Sequence, residues 1–338
     1  MTRITNDEAL RLFRLPLLEL GRLADDARRE RVADPSVVTY HIDRNINYTN
    51  QCTCGCEFCY FYKEQDGYLL TNDELTRRMR EAVSANADQI LLQGGLRDDK
   101  PFAFYVDMIA SLRAEIPTLH IHAFSPPEIV HFALMAKKSF TEILTELKAA
   151  GMNSIPGGGA EILVDSVRSR VSPNKCTADE WIAVMEAAHG IGMKSSATMM
   201  FNFGETIADR IEHLERLRTL QDRTHGFVAF IAWTYEGEGK NVRAASMHRG
   251  DEYLRMVALA RLYLDNFTNI QSSWVTQGLN LGQIALYFGA NDMGSVMLEE
   301  NVVRAAGVSH TTNEPALRAV IENAGFKPVL RNFYYEKR

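Results

Sequence analysis

The sequence lacks the features that would place the protein at a membrane, on nucleic acid or outside the cell. No uninterrupted apolar run approaches the roughly 20 residues of a membrane-spanning helix. Asp7 and Glu8 stand where a signal peptide has its apolar core. The 338 residues carry 37 Lys and Arg against 43 Asp and Glu, a formal net charge of −6 that gives no general attraction to nucleic acid or anionic lipid. We therefore expect a cytoplasmic protein that binds neither.

Proline, glycine and cysteine are also too few, or too clustered, for several structural classes. With 10 Pro, 22 Gly and 46% hydrophobic residues, the chain has the composition of a folded globular protein, not of a disordered or collagen-like one. Four of the 5 cysteines are Cys52, Cys54, Cys56 and Cys59. An odd, clustered set is not a secreted disulfide framework, and it indicates metal or redox chemistry in a reducing compartment.

Short apolar segments alternate with longer amphipathic ones, which is typical of parallel βα units. No G-x-G-x-x-G follows the first predicted strand, and this weighs against a dinucleotide-binding fold. The predicted strands are Val37–Ile42 (continuing toward Asn47), Gln89–Gln93, Leu119–Ala123, Asn153–Ile155, Ser195–Met200, Phe227–Ala232 and Asn269–Val275, with an eighth near Ser295–Leu298. The predicted helices include Asn72–Ala87, Pro101–Glu115, Phe140–Ala150, Ala178–Ile191, Ile207–Gln221 and Glu252–Asn266.

This order predicts an α/β fold: a TIM-type (β/α)8 barrel with an N-terminal helical cap and a helical C-terminal tail. We expect the cap in residues 1–35, where Asp7 can cap the helix, the barrel in 36–300 and a C-terminal extension packed on it in 301–338. Chemistry in such a barrel lies where strands end and βα loops begin. Loops of unusual composition follow the predicted strands at Asn45–Tyr60, Gln93–Leu96, Phe124–Glu128, Pro156–Glu161, Phe201–Thr206 and Trp233–Lys240.

Cys52-x-x-x-Cys56-x-x-Cys59 is the strongest chemical signal. Iron–sulfur clusters are commonly held by four cysteines, so three thiolates can hold three irons of a cubane and leave the fourth iron open. An open iron can bind S-adenosylmethionine (SAM), which one electron cleaves to methionine and a 5′-deoxyadenosyl radical. The alternatives are a zinc site or a redox pair, but no second C-x-x-C or H-x-x-x-H completes a zinc site. Cys54 lies inside the motif and is interpreted as a bystander.

The cysteine motif followed by Tyr60-Phe61-Tyr62 resembles the radical SAM enzymes. From about residue 5 to 335, the chain is similar to their menaquinone-pathway branch that works on futalosine derivatives, and most of all to the cyclic dehypoxanthine futalosine synthase family. The segments that carry this likeness are Asn45–Asn50, Leu91–Gly95, Ile155–Leu163, Gly204–Thr206, Leu220–Thr224 with Gly226-Phe227, and Asn280–Asn301.

The resemblance implies a [4Fe-4S] cluster and SAM as cofactors, dehypoxanthine futalosine as the small-molecule substrate, and an electron donor such as flavodoxin or ferredoxin. It also implies a reaction. The deoxyadenosyl radical removes hydrogen from C4′ of the ribose, the carbon radical adds to the benzoate ring, and loss of an electron and a proton restores aromaticity. Two alternatives stay open: aminofutalosine synthase or another radical SAM paralogue with a shifted substrate, and a non-enzymatic iron–sulfur or zinc redox sensor.

The resemblance further implies roles in cofactor binding, besides Cys52, Cys56 and Cys59 as the ligands of the cluster. Phe58 would lie near the adenine, with simple core packing as the alternative. Gly94 and Gly95 would let the backbone approach the methionyl amine, or would serve a tight turn. Glu161 would accept from the adenosine ribose hydroxyls, or be a solvated loop charge. Arg168 would pair with a carboxylate of SAM or substrate, or lie on a solvated helix face.

Glu205 and His122 are the catalytic candidates. Glu205 would contact ribose or handle a proton. His122 would contact substrate, or be a packed, hydrogen-bonded histidine, and we expect His120, on the same predicted strand, to point to the opposite side. One loop departs from the family: Trp233-Thr-Tyr-Glu-Gly-Glu-Gly-Lys240 stands where members have Gln-Pro-Glu-Asn after the aromatic residue. This departure puts substrate contact, not radical generation, in question.

Overall fold

The computed structural model of the protein describes residues 3–235 and 250–338. Within them, ten strands form one parallel sheet with helices around it. The strands are β1 (Val37–His41), β2 (Asp43–Asn47), β3 (Gln89–Gln93), β4 (His120–Ala123), β5 (Ser154–Ile155), β6 (Lys194–Phe201), β7 (Phe227–Thr234), β8 (Ile270–Gln271), β9 (Asp292–Ser295) and β10 (Lys327–Leu330). The helices are α1 (Asn6–Phe13), α2 (Leu17–Arg31), α3 (Asn72–Ser84), α4 (Phe102–Glu115), α5 (Pro126–Ala136), α6 (Phe140–Ala150), α7 (Asp165–Val171), α8 (Ala178–Gly190), α9 (Ile207–Thr224), α10 (Gly250–Tyr263), α11 (Trp274–Ala285), α12 (Val302–Ala305) and α13 (Glu314–Asn323), with a 3₁₀ turn at Leu286–Phe288.

The sheet is curled, and β1 and β2 connect its two ends. Its order is β10-β1-β9-β8-β7-β6-β5-β4-β3-β2. Only Ile42 separates β1 from β2, yet β1 pairs with β9 whereas β2 pairs with β3, with Asp43 opposite Gln89. β1 and β2 are thus consecutive segments of one extended stretch, and they pair with strands from opposite ends of the series β3 to β9. The expected parallel βα architecture is confirmed, and β10 adds a strand to the other edge of β1.

Several predicted elements have different bounds in the structure. Of Asn269–Val275, only Ile270–Gln271 is strand, because α11 begins directly after Ser273. Helix α5 lies where we expected only a loop, since Ser125 and Glu128 form a capping box around two prolines that are tolerated in a first helical turn. Ser125-Pro-Pro-Glu128 is therefore the start of a helix, although its composition is typical of a loop.

The two termini also differ from expectation. The N-terminal region contains two helices, because Pro16 cannot continue a helix and restricts the residue before it. Thr5, not Asp7, caps α1, in a capping box with Glu8. The C-terminal tail is not purely helical, since it ends in β10. After that strand, Arg331 donates two hydrogen bonds to the buried carboxylate of Asp292, of 2.5 and 2.9 Å, and fixes the tail to β9.

Parallel strands covered by helices bury one face against those helices and turn the other inward. Residues 43, 45 and 47 of β2 alternate with neighbours of opposite orientation and line an interior cavity. Similarly, residues 196, 198 and 200 of β6 line it from the far side. Among the described helices, none is both long and apolar enough to cross a membrane.

Candidate active site

The interior cavity has a volume of about 460 Å³ and extends from the cysteine motif to the C-terminal tail. That size is within the range of roughly 300–1,000 Å³ of small-molecule sites. Cys52, Cys56 and Cys59 line it at the end where the strands finish, and Phe333 and Tyr335 of the tail also line it. Chemistry was expected at this end of the strands, and the cavity connects it with the interior of the sheet.

The cysteine loop (Cys52–Cys59) is held by backbone hydrogen bonds. The Cys52 N–H donates to the carbonyl of Lys63 (3.0 Å), and the Cys59 N–H donates to that of Cys56 (3.1 Å). The Leu96 N–H, from the end of β3, donates to Sγ of Cys52 at 3.3 Å. A donor aimed at sulfur favours the thiolate, the form that ligates metal. All five cysteines are free of disulfides.

The electrostatics of this loop favour thiolates at two of its three motif positions. Hydrogen bonds from the Cys54 thiol and from backbone N–H groups lower the pKa of Cys52 to about 6. The Cys54 thiol and the ammonium of Lys175 lower the pKa of Cys56, whereas burial raises the pKa of Cys59. Lys175 is thus a buried cation close to the sulfurs. Burial opposes its charge, but Cys56 and Glu161 outweigh that effect and raise its pKa.

The donor set fits a cluster with one open iron. Cys54 is interpreted as outside the ligand set: besides its contacts with Cys52 and Cys56, its Sγ lies 3.6 Å from the carbonyl of Asn174, whose amide donates to the Cys54 carbonyl at 3.1 Å. Among residues 3–235 and 250–338, no three His, Cys, Asp or Glu side chains are placed around a single ion. Zinc needs such a convergence, but cysteines that each bind a different iron of a cubane do not.

Gly94 and Gly95 allow β3 to lie directly against the cysteine loop. A Cβ on Gly95 would come 2.1 Å from the carbonyl oxygen of Gln51 and 2.6 Å from Cβ of Cys52. On Gly94, it would come 2.5 Å from the ring of Tyr48. Real Cβ atoms do not approach so closely, so glycine is required here by the protein's own packing. Both residues also line the cavity, where a role toward the methionyl amine stays a prediction.

Phe58 and Glu161 line the cavity beside the cysteine loop, and their contacts with the cofactor stay predictions. The Phe58 ring lies 5.4 Å from that of Phe203, and Nζ of Lys175 stands 5.0 Å from its centroid. Glu161 is 4% exposed and pairs with Nζ of Lys175 at 2.6 Å. The alternative of a solvated loop charge is therefore wrong for Glu161, because its carboxylate is buried and paired.

Arg168 does not line the cavity, and neither alternative given for it describes its position. It is 3% exposed, so it is not on a solvated face. Its guanidinium donates to the carbonyls of Gly159 (3.1 Å), Ala160 (2.6 Å) and Cys176 (2.6 Å). Arg168 therefore braces the glycine-rich loop that ends in Glu161, and it positions that loop without reaching a ligand itself.

Glu205 is likewise held away from the cavity. Its carboxylate accepts from the backbone N–H groups of Asn202 (2.8 Å) and Phe203 (2.7 Å) and pairs with Arg210 at 2.7 Å. The side chain is 0% exposed. A carboxylate enclosed in this way stabilises its own loop, and the expected contact with ribose or a proton is not available from this position.

His122 lines the cavity, but the expected arrangement of the two histidines is wrong. Residues two apart on a strand share a face, so His120 and His122 point the same way. Nε2 of His120 and Nδ1 of His122 both lie 2.6 Å from Oγ of Ser154, and both rings pack against Phe333. Burial lowers the pKa of His122 well below its usual value. His122 is therefore a neutral hydrogen-bonding group, not a strong base.

Sequence reasoning missed two polar features of the cavity. Buried Glu128 accepts from the Tyr48 hydroxyl (2.8 Å) and the Gly94 N–H (3.1 Å), and burial raises its pKa to about 7 against these donors. The second feature is a group of buried polar residues on β1, β2 and β3. Its signal was the alternation of Asp43, Asn45 and Asn47 along β2. The departing segment Glu236–Lys240 lies outside the described residues.

Two family models match the chain: that of the radical SAM superfamily over residues 46–217, and that of the CofH/MqnC C-terminal region over residues 224–338. The chain is 43% identical over 340 residues to a cyclic dehypoxanthine futalosine synthase of Streptomyces coelicolor, across 99% of this chain and 85% of that protein. It is 38% identical to a 5-amino-6-(D-ribitylamino)uracil–L-tyrosine 4-hydroxyphenyl transferase of Methanococcoides burtonii, across 98% and 95% of the two chains.

Among solved structures, methylornithine synthase (PylB) superposes with a TM-score of 0.71 at 17% identity, covering 96% of this chain and 94% of its own. At that identity the likeness concerns the fold, which agrees with the curled parallel sheet described above. The three-cysteine loop, its cavity and the matches over nearly the full length lead to one conclusion. The chain is an enzyme of the radical SAM superfamily, and it belongs to the family that includes the cyclic dehypoxanthine futalosine synthases.

Proposed function

We propose that the enzyme cyclises dehypoxanthine futalosine to cyclic dehypoxanthine futalosine in menaquinone biosynthesis. The observation that carries this proposal is the continuous cavity from the cysteine loop to the tail, in a chain 43% identical over almost its whole length to a protein with that name. A small electron-transfer protein such as flavodoxin or ferredoxin would supply the electron. We also assign residues 36–300 to a TIM-type barrel, which the pairing of β1 and β2 with opposite ends of the sheet supports.

In this proposal, Cys52, Cys56 and Cys59 hold a [4Fe-4S] cluster. When bound, the cluster and SAM supply the 5′-deoxyadenosyl radical that takes hydrogen from C4′ of the ribose. The Leu96 N–H and the Lys175 ammonium stabilise the thiolates through hydrogen bonding and charge.

Phe58, Gly94, Gly95 and Glu161 line the part of the cavity next to this loop, where the adenosyl and methionyl groups would lie. Arg168 acts as a positioning residue, because its guanidinium holds the carbonyls of the loop before Glu161.

The substrate radical formed at C4′ would add to the benzoate ring, and the ring would then give a proton to solvent and an electron back to the oxidised electron-transfer protein. The substrate thus loses two hydrogens overall, one to 5′-deoxyadenosine and one as a proton with its electron. His122 reaches the cavity as a neutral imidazole, which can orient a substrate oxygen by a hydrogen bond. Glu205 performs no step here, since its carboxylate is enclosed by its own loop and by Arg210.

A second candidate is a paralogue of the same branch that uses another radical acceptor, such as aminofutalosine synthase. Two observations favour this second candidate. The chain is 38% identical to the Methanococcoides burtonii transferase, whose name gives a different reaction, and its sequence departs from the family at Glu236–Lys240. The products separate the two. The cyclase releases free 5′-deoxyadenosine, whereas aminofutalosine synthase incorporates the adenosyl group into its product.

The test is an anaerobic reaction of the iron- and sulfide-reconstituted protein with reductant, SAM and dehypoxanthine futalosine, followed by mass spectrometry. Free 5′-deoxyadenosine together with a product lighter than substrate by two hydrogens establishes the cyclase. If 5′-deoxyadenosine forms while the substrate stays untouched, the substrate assignment is wrong and the paralogue is favoured. With an intact cluster and no cleavage of SAM, the proposal fails altogether.

A further inference from the structure

Four buried polar side chains form one patch of the cavity lining, which we call the acceptor wall: His41, Asp43, Asn45 and Gln89. They are 7%, 4%, 3% and 4% exposed, respectively. His41 belongs to β1, Asp43 and Asn45 to β2, and Gln89 pairs with Asp43 from β3, so the four are neighbours on adjoining strands. All four line the cavity.

His41, Gln89 and Asn45 each direct one side-chain nitrogen to a carboxylate of the protein. Nε2 of His41 lies 3.1 Å from Oδ2 of Asp43, and Nε2 of Gln89 donates to the same oxygen at 3.2 Å. The amide of Asn45 donates to Oε2 of Glu300 at 2.9 Å. Because each partner is a carboxylate, which only accepts when ionised, the orientation of both amides and the proton on Nε2 of His41 are fixed.

The carboxylate and amide oxygens that remain are acceptors. Oδ1 of Asp43, Oδ1 of Asn45 and Oε1 of Gln89 are buried and have no hydrogen-bond partner among the described residues, and Nδ1 of His41 is likewise without one. Buried polar atoms are nearly always paired, and leaving them unpaired is costly. Three such oxygens in one patch favour a ligand that brings several donors and no negative charge.

The opposite side of the cavity is different in chemistry. Residues Ala229, Ile231 and Trp233 of β7 and Met200 of β6 line it with apolar surface, and Trp233 lies opposite Met200 in the strand register. This apolar wall can pack against an aromatic ring but offers little to a sugar. The two walls therefore differ in polarity: the acceptor wall offers hydrogen-bond acceptors and the apolar wall offers mainly carbon surface, with Ser196 and Thr198 of β6 as further polar lining.

We propose that the acceptor wall is the subsite for the ribose hydroxyls of the substrate, while the benzoate ring packs on the apolar wall. This inference rests on the proposed function and specifies how the substrate is oriented. Sugar hydroxyls bring donors to the oxygens of Asp43, Asn45 and Gln89, and a hydroxyl can either donate to or accept from Nδ1 of His41. A carboxylate brings no donor for these oxygens, and the cation that lines the cavity beside them, Arg331, is already paired with Asp292, so the acid end of the substrate is disfavoured in this subsite.

The test measures binding without turnover. The reconstituted holoenzyme with SAM, but no reductant, is titrated anaerobically by calorimetry with dehypoxanthine futalosine and with its 2′-deoxy and 3′-deoxy analogues. At least one analogue should bind about tenfold more weakly, because a missing hydroxyl leaves a buried acceptor unpaired. Equal affinity for all three ligands would overturn the subsite and leave the proposed function standing. Failure of the parent compound to bind would overturn both.

Substitutions on the two walls test whether the loss of affinity for the deoxy analogues arises at the acceptor wall. Gln89→Met has nearly the same side-chain volume but no acceptor, so it should lower the affinity for the parent compound about tenfold. Its affinity for the deoxy analogue that the wild type binds more weakly should be unchanged. Asn45→Leu serves the same purpose if Gln89→Met fails to fold. Ile231→Ala on the apolar wall is the matched control, since it should weaken parent and analogues by one common factor. A loss of discrimination in Ile231→Ala, but in neither acceptor-wall variant, would overturn the assignment.

Discussion

The two ends of the cavity carry opposite kinds of polar group. At the cysteine loop, the Leu96 N–H donates to sulfur and the buried ammonium of Lys175 lowers the pKa of Cys56. At the acceptor wall, three side-chain nitrogens are directed to carboxylates of the protein, and the unpaired atoms include the carboxylate oxygen of Asp43. One end stabilises negative charge and the other disfavours it. The cavity can therefore set the direction of a ligand by polarity alone, before shape contributes.

The largest expected effect is on the cysteine loop. Cys52→Ala, Cys56→Ala and Cys59→Ala should each abolish cleavage of SAM to 5′-deoxyadenosine, because each removes one of three ligands and an incomplete set loses the cluster. Cys54→Ala and Cys176→Ala are the controls and should retain it, since we assign neither thiol to the ligand set, although Cys54→Ala removes a hydrogen bond to Cys52. Iron content and the yield of 5′-deoxyadenosine are measured. Loss in Cys54→Ala, with retention in any one of the other three, would sink the ligand assignment.

A second prediction concerns the buried ion pair beside this loop. Lys175→Met should lower the free energy of unfolding by about 3 kcal/mol, because it leaves the carboxylate of Glu161 buried and unpaired. The double variant Lys175→Met/Glu161→Gln removes the orphaned charge and should recover part of that loss. Denaturant unfolding of wild type, both single variants and the double variant measures the coupling. Strictly additive losses would show that the two charges do not stabilise one another.

The contrast between the two ends also shows which parts of the site can be predicted from the sequence. The cysteine ligands lie within eight residues, so their spacing along the chain is nearly their geometry. The acceptor wall draws on three strands, and Gln89 reaches Asp43 only through the register of β2 with β3. Strand Gln89–Gln93 was predicted with its observed bounds, yet no local pattern tells that its first residue faces a carboxylate.

The sequence also does not show which partner a charged side chain binds. Glu205 and Arg168 are charged residues next to glycine-rich loops, which is equally typical of ligand contacts and of loop braces. Only the structure shows that Glu205 meets Arg210 and that Arg168 meets backbone carbonyls. The error on His120 and His122 was different in kind. Strand periodicity already requires residues two apart to share a face, so that arrangement was accessible from the sequence.

The third prediction separates the two ends functionally. Asp43→Asn at the acceptor wall should lower kcat/KM for the substrate by roughly 10- to 100-fold, because it removes a charged acceptor shared by His41 and Gln89. Cleavage of SAM should persist, so the ratio of 5′-deoxyadenosine to cyclised product rises. That ratio is the measurement, and the Cys52, Cys56 and Cys59 variants should show no product of either kind. If Asp43→Asn instead loses SAM cleavage in proportion to cyclisation, the two ends do not act separately.

The smallest effect is a dependence of stability on pH near the acceptor wall. Burial lowers the pKa of His120 to about 3, so the folded state binds its proton less readily than the unfolded chain, where histidine titrates near 6.5. The stabilisation is complete above that value and is lost as pH falls from 6.5 toward 3. Its slope reaches at most about 1.4 kcal/mol per pH unit for one histidine. His120→Asn should flatten the fall of unfolding free energy between pH 6.5 and 4.5, with the exposed His310→Asn as the matched control. If the unfolding free energy falls with the same slope in both variants, protonation of His120 is not the cause of the loss of stability in acid.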